Sequence, residues 1–180
     1  MIEIYCGDGK GKTTAAVGLS LRAAGNEIPV LFFQFMKDGS SGEMGMLKKL
    51  EGVSVYYPKT FYGFADTMNE QQKEEMRGQY QALLEMAKVK VQQTVQGGSR
   101  QIQTDLLVIL DEVIHACNKN LLDEKELLKL IEECPANIEL VLTGRNPSSE
   151  LLKRADYITE MKKRRHPFDK GIPARKGIER

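Results

Sequence analysis

Gly7-Asp8-Gly9-Lys10-Gly11-Lys12-Thr13-Thr14 follows directly on the apolar run Ile2 to Tyr5 and leads into the small-residue stretch Ala15-Ala16-Val17-Gly18-Leu19. Strand, glycine loop and helix in that order form a phosphate-binding loop. Backbone N–H groups close around a polyphosphate without side-chain obstruction, a lysine reaches the outer phosphates, and a hydroxyl can ligate magnesium or manganese. Gly7, Gly9, Gly11, Lys12 and Thr13 supply these parts, with Asp8, Lys10 and Thr14 completing the loop. A bare glycine turn before a lysine would need neither the flanking strand nor the helix. The full pattern G-x-x-x-x-G-K-[ST] has glycine at its first position, and this chain has Cys6 there. A side chain at that point is expected to alter the first turn and shift where the triphosphate lies.

Outward from the loop, apolar, β-branched and aromatic runs recur at 2–5, 28–36, 53–57, 106–110, 138–142 and 155–159, with helical patterns between most of them. Strands alternating with helices predict an α/β fold: a mostly parallel sheet with helices on both faces, in a P-loop NTPase (RecA-like) architecture. Val30-Leu31-Phe32-Phe33 and Leu106-Leu107-Val108-Ile109-Leu110 are apolar throughout, as central strands buried on both faces should be. The longest helix is predicted to open on a capping box of Thr67 and Glu70 and to stop at Gly97-Gly98. Its apolar stripe is Met76, Tyr80, Leu83, Leu84, Ala87, Val91 and Val95. A second helix opens with Asp123 and Glu126 in the same reciprocal arrangement and stops before Pro135, and a third opens at Asn146 with Pro147 in its first turn. The polar, glycine-containing stretch Gln92 to Thr104 reads as a mobile surface loop. Residues 1–161 form one nucleotide-binding domain, and 162–180 are a basic tail packing on that domain.

Composition narrows the function. The chain has 180 residues, 41% of them hydrophobic and 28% charged, which suits one well-buried domain. Its 26 basic and 25 acidic residues nearly cancel, so no overall field recruits nucleic acid or a membrane surface. The three cysteines, at 6, 117 and 134, lack metal or thiol-disulfide spacing and fit a reducing cytoplasm. No signal-like start and no apolar run near the roughly 20 residues needed to span a bilayer is present.

Several residues cluster where ligands bind, beyond the C-terminal ends of the strands. Asp111-Glu112 ends the apolar run 106–110. With Thr13 and phosphate oxygens, one of these carboxylates would complete a magnesium shell, although acids after a strand also serve as helix N-terminal residues. Thr143-Gly144-Arg145 brings a guanidinium to the same edge, either to hold phosphate or carboxamide oxygens or simply as a surface arginine. Lys37 and Glu43 flank the loop Asp38-Gly39-Ser40-Ser41-Gly42, as substrate contacts or solvated charges. Tyr62 and Phe64 spend two aromatics on a loop, which suits a flat ligand or else pins that loop to the long helix. His115 and His166 read as packing or hydrogen-bonding residues as readily as bases. No Ser-His-Asp or Cys-His-Asp arrangement is legible. Lys162-Lys163-Arg164-Arg165 is a solvated run or a cover for a triphosphate.

Taken together, these residues resemble the P-loop type of ATP:corrinoid adenosyltransferase (cob(I)alamin or cob(I)yrinic acid a,c-diamide adenosyltransferase). The resemblance covers nearly the whole chain and rests on Gly7 to Thr14, Gln34-Phe35-Met36-Lys37, Leu110-Asp111-Glu112 and Thr143-Gly144-Arg145. It rests most of all on the tail His166-Pro167-Phe168-Asp169-Lys170-Gly171 through Gly177-Ile178-Glu179. Family members likewise lack the first glycine of the loop, so Cys6 supports the resemblance.

What the resemblance implies is transfer of the 5′-deoxyadenosyl group of ATP to a reduced corrinoid. Cob(I) cobalt attacks the ribose 5′ carbon and tripolyphosphate leaves, a reaction that needs no general base. Lys12, Thr13 and Glu112 would then be catalytic, with Mg2+ or Mn2+ at Thr13 and at Glu112 ahead of Asp111. Tyr62, Phe64 and Arg145 would face the corrinoid, the aromatics helping to strip the lower axial ligand so that a cellular reductant can reach cob(I). The family's loop often carries tryptophan here, and this chain has none. The further expectations are cob(I)alamin or a corrinoid precursor as partner, a flavoprotein reductant and a homodimer. Relatives with an N-terminal extension use it to cover the nucleotide; this chain starts at the first strand, so closure is expected from elsewhere or to be weaker. The alternative is a P-loop kinase or RecA-like ATPase acting at the γ-phosphate, which would carry an arginine-rich lid or an arginine finger.

Overall fold

A computed structural model of the chain describes residues 1–94 and 104–178. Within them six strands form one sheet: β1 Ile2–Cys6, β2 Val30–Gln34, β3 Val53–Tyr56, β4 Leu106–Asp111, β5 Ile138–Thr143 and β6 Tyr157–Glu160. Their spatial order is β3-β2-β4-β5-β1-β6, and every pairing is parallel. The helices are α1 Lys12–Ala24, α2 Gly42–Leu47, α3 Glu70–Thr94, α4 Val113–Asn118, α5 Glu124–Glu132 and α6 Ser149–Arg154. The predicted runs and the parallel α/β architecture are those of the molecule.

Side-chain alternation along each strand builds two cores, one on each face of the sheet. Leu106, Val108 and Leu110 of β4 and Ile138, Leu140 and Leu142 of β5 face α3, α4, α5 and α6. Leu107, Ile109 and Val141 face the other way, with Val30 and Phe32 of β2, onto Ala16 and Ala23 of α1 and Met44 and Leu47 of α2. This two-sided burial is why the central runs carry no polar alternation. Among the described residues no helix is long and apolar enough to cross a membrane.

Helix boundaries differ from the sequence expectations because local hydrogen bonds decide between neighbouring candidates. The cap of α3 is Asn69, not Thr67: Gln72 N–H donates to Asn69 Oδ1 at 2.9 Å, and Asn69 N–H donates to Gln72 Oε1 at 3.0 Å. Thr67 instead belongs to the short 3-10 turn Ala65–Thr67. Likewise α6 opens behind Ser148, whose hydroxyl accepts from Leu151 N–H, so Asn146 and Pro147 precede the helix. At α5 Asp123 caps as expected, accepting from Lys125 N–H, while the Glu126 side chain turns away to Lys129 and Lys88. Gln92 to Thr94 are helical; the rest of the expected mobile loop up to 103, with Val95 and Gly97-Gly98, lies outside the described residues.

The Glu126–Lys88 pair ties α5 to α3 at 2.8 Å, with the lysine largely shielded. Hydrogen bonds from Lys129 and Lys88 hold the Glu126 carboxyl down to about 2, from an ordinary 4.5. A depressed carboxylate contributes stability above its unfolded value and loses it as pH falls through the folded one. Glu126→Gln should therefore lower the Tm slightly at pH 7 and flatten its fall between about pH 4.5 and 2. Melting curves across that window check it, and parallel curves for both proteins would show that the clamp contributes nothing.

Candidate functional site

Three neighbouring strands end in polar residues just where their apolar columns on the α1 side stop. Val30 and Phe32 give way to Gln34, Leu107 and Ile109 to Asp111, and Val141 to Thr143, and all three polar residues are fully buried. Because β5 lies between β1 and β4, Thr143 sits between the strand that launches the phosphate loop and the strand that delivers the acids. The P-loop residue Thr13 closes the group.

Asp111 is the hub. Its Oδ1 accepts from the Thr13 hydroxyl at 2.9 Å and from the Thr143 hydroxyl at 2.8 Å, and its Oδ2 faces Lys37 Nζ at 3.4 Å. Lys37 also reaches Glu43 at 3.8 Å. Thr143 in turn accepts from the Glu112 N–H at 2.8 Å, which holds the first residue after β4 in place. Glu112 takes a left-handed conformation, φ 60, before α4. Burial first, and then the neighbouring Asp111 charge, push its carboxyl above the usual carboxylate range. No hydrogen bond to that carboxylate is present among the described residues. Thr143 had no role assigned from the sequence; the signal for it was a polar residue ending an otherwise apolar central strand.

This donor set fits a hard divalent cation. The Thr13 hydroxyl gives its proton to Asp111, which leaves its oxygen lone pairs for a metal, and Asp111 itself is occupied by three protein donors. Glu112 is the carboxylate with spare capacity. Among the described residues no three His, Cys, Asp or Glu side chains converge, so a cation here would take its remaining ligands from phosphate and water, as magnesium does.

Lys12 is buried, and its ammonium donates to the carbonyls of Gly7 and Gly9 at 2.9 Å each. Burial lowers its pKa, with the Glu112 carboxylate opposing that shift and Arg145 reinforcing it. Cys6 belongs to β1 rather than to the turn of the loop. It is still the last residue of β1, paired in register with Glu160, and its side chain is buried in the core on the α3 side. The turn is made one residue later by Gly7 at φ +101.

The glycines at 7 and 9 have a second reason to be there. The chain leaving β6 runs across the loop: Met161 N–H donates to the Cys6 carbonyl at 2.8 Å, Gly9 N–H donates to the Met161 carbonyl at 2.6 Å, and Lys163 N–H donates to Asp8 Oδ1 at 2.9 Å. A Cβ at Gly9 would stand 2.6 Å from the Met161 oxygen and 2.8 Å from its carbon, both backbone atoms that cannot swing aside. Gly9→Ala should therefore push the 161–165 segment off the loop, costing about 1–3 kcal/mol as overpacking does. Limited trypsin digestion checks it. The run Lys162-Lys163-Arg164-Arg165 should be cut faster in the variant, and an unchanged rate would show that the loop, not the tail, absorbs the methyl group.

Arg145 is exposed just after β5, and its positive charge contributes to lowering the pKa of Asp8, Lys12 and His115 and opposes the rise at Glu112. Its backbone carbonyl is held by Asn118 Nδ2 at 2.7 Å. His115 is half-buried, and burial, with Lys119 and Arg145 following, keeps its pKa below the ordinary value. The two loop aromatics part company. Tyr62 donates its hydroxyl to Glu75 of α3 at 2.6 Å and packs on the core, pinning the loop, whereas Phe64 is 83% exposed. Buried Ala65 and Met68 anchor the backbone beside it, and Asp66 pairs with Lys119, the residue just after α4, at 2.8 Å.

A family-wide sequence profile described as ATP:corrinoid adenosyltransferase BtuR/CobO/CobP matches residues 1–180. A corrinoid adenosyltransferase of Sinorhizobium sp. is 30% identical over 181 residues, covering 99% of this chain and 79% of its own length. Corrinoid adenosyltransferase CobA of Salmonella typhimurium LT2 is 31% identical, covering 99% of this chain and 85% of itself. A corrinoid adenosyltransferase of Pseudomonas aeruginosa is 30% identical, covering 99% and 83% respectively.

Proposed function

This chain belongs to the ATP:corrinoid adenosyltransferase family BtuR/CobO/CobP, and from that premise we propose that it moves the 5′-deoxyadenosyl group of ATP onto the cobalt of a cob(I) corrinoid. A cobalt–carbon bond forms with the metal's electron pair, the C5′–O5′ bond breaks, and tripolyphosphate departs with the electrons of the broken bond. The observation that carries the reading is a phosphate loop carrying Lys12 and Thr13 and backed by Asp111 and Glu112, in a chain matched end to end by the adenosyltransferase profile.

With cobalt as the nucleophile, the protein's tasks are orientation and charge neutralisation. Lys12 and the loop amides other than that of Gly9, which the Met161 carbonyl already engages, hold the triphosphate. Thr13 and Glu112, with Asp111 behind them, would hold a magnesium or manganese ion, which supplies positive charge to the departing phosphates. Arg145 adds a cation at the same edge, and Phe64 offers its free face to the corrin. Residues 1–161 act as the nucleotide domain, with 162–180 a tail held on it. A flavoprotein reductant, a homodimeric state and a cytoplasmic setting complete the reading.

The test is anaerobic incubation with Mg-ATP and chemically reduced cobalamin, following loss of the cob(I) absorbance and identifying the inorganic product. Tripolyphosphate with alkylated cobalt is the expected result. ADP without cobalt alkylation would sink the reading in favour of γ-phosphate chemistry.

A further inference from the structure

Gln34 is completely buried at the C-terminal end of β2. Its amide nitrogen reaches Ser41 Oγ at 3.4 Å, but its carbonyl oxygen Oε1 is buried with no hydrogen-bond partner. A buried acceptor left unmet carries a desolvation cost that folded proteins rarely tolerate without a purpose. The position suggests the purpose. Gln34 pairs in register with Asp111, and in a parallel sheet that sets both side chains on the α1 face, in the row that also contains Thr143 and meets Thr13.

The donors of this corner are directed elsewhere. The hydroxyls of Thr13 and Thr143 both go to Asp111, and the Lys37 ammonium lies toward Asp111 and Glu43. The missing donor therefore arrives with a ligand. Phosphate oxygens at neutral pH accept hydrogen bonds and cannot supply it. A hydrated hard cation can, because magnesium surrenders its water reluctantly and each retained water carries protons to donate.

We propose that Gln34 is a positioning residue for the hydrated divalent cation that accompanies the triphosphate, its Oε1 accepting a hydrogen bond from a metal-held water. The assignment rests on the Mg-ATP reading of the site. It also gives a task to the first residue of the Gln34-Phe35-Met36-Lys37 motif, which the phosphate loop leaves unexplained.

Calorimetric titration of ATP with and without Mg2+ separates the possibilities, using Gln34→Met, similar in size but a poor acceptor, and Gln34→Glu, which keeps an acceptor. For Gln34→Met the affinity for ATP in EDTA should stay within about twofold of wild type, while the affinity for Mg-ATP falls about tenfold, the value of one hydrogen bond to a charged assembly. Gln34→Glu should retain the magnesium-dependent gain. The ligand-free Gln34→Met protein should melt no lower than wild type, since it loses an unpaired acceptor, and its Tm rise on adding Mg-ATP should be smaller. Equal losses with and without magnesium would overturn the proposal and assign the donor to the nucleoside. An unchanged Mg-ATP affinity, or a lower Tm without ligand, would overturn it too. If the wild-type protein itself shows no magnesium-dependent gain in ATP binding, the Mg-ATP reading fails and takes this assignment with it.

Discussion

Lys12→Ala is expected to abolish detectable adenosyl transfer, a loss of roughly 10³-fold or more, with Mg-ATP binding weakened in parallel. Two effects combine. The ammonium bridges the Gly7 and Gly9 carbonyls at 2.9 Å each, so it sets the curvature of the loop. With triphosphate present, the same charge would meet the negative charge that grows as the leaving group departs. It is delivered from a buried position where solvent screens it little. Lys12→Arg keeps the charge but not its compact shape and should recover little, because the planar guanidinium does not fit a niche built for an ammonium. Initial rates at saturating ATP, with circular dichroism as a check on folding, measure the effect. Turnover within tenfold of wild type would mean that the triphosphate lies elsewhere.

Phe64→Ala should be the second large effect, and a selective one. With cob(I) supplied chemically, the rate should fall only a few-fold. With cob(II) and a reductant, it should fall on the order of 10- to 100-fold, because the ring's proposed task is to displace the lower axial ligand before reduction, using contact energy worth about 2–3 kcal/mol when a phenyl group is buried. At 83% exposure the ring makes little contact with its own chain, so the folding stability should change by less than about 0.5 kcal/mol. Tyr62→Phe offers the contrast. It breaks the Glu75 contact that pins the loop, and any effect should come through loop order rather than through the cobalt state. Equal losses for Phe64→Ala from both cobalt states would remove the role assigned to the ring.

The difference between these two aromatics illustrates what local sequence conveys. Tyr62 and Phe64 are two residues apart in the same polar-flanked loop, and nothing in their spacing says which would fold inward. The distinction is made by Glu75 of α3 and by Lys119 just after α4, which grip Tyr62 and Asp66. The cap of α3 went astray for a similar reason: Thr67 was expected there, but the backbone turn at 65–67 took it, and Asn69 caps the helix with Gln72. Cys6 departs from the glycine pattern of the loop, and the sequence did not say where its side chain goes. One more residue of pairing, against Glu160, turned its side chain into the core.

The sequence by itself determined the parallel α/β class, the position of the phosphate loop, the acids at the end of β4 and the family resemblance. These are written in periods of two and 3.6 residues, in glycine spacing and in short contiguous motifs, all of which act between chain neighbours. The tertiary structure alone decided that Asp111 is bound by Thr13 and Thr143 while Glu112 keeps a carboxylate to spare. It also decided that the Met161 carbonyl leans on Gly9, and that Gln34 holds an unmet acceptor in the same row. Those contacts join residues as far apart as 98 positions for Thr13 and Asp111, and 155 for Asp8 and Lys163. They exist because strand order and two-sided core packing bring distant strand ends to one edge of the sheet, and no local pattern encodes which strand lies beside which.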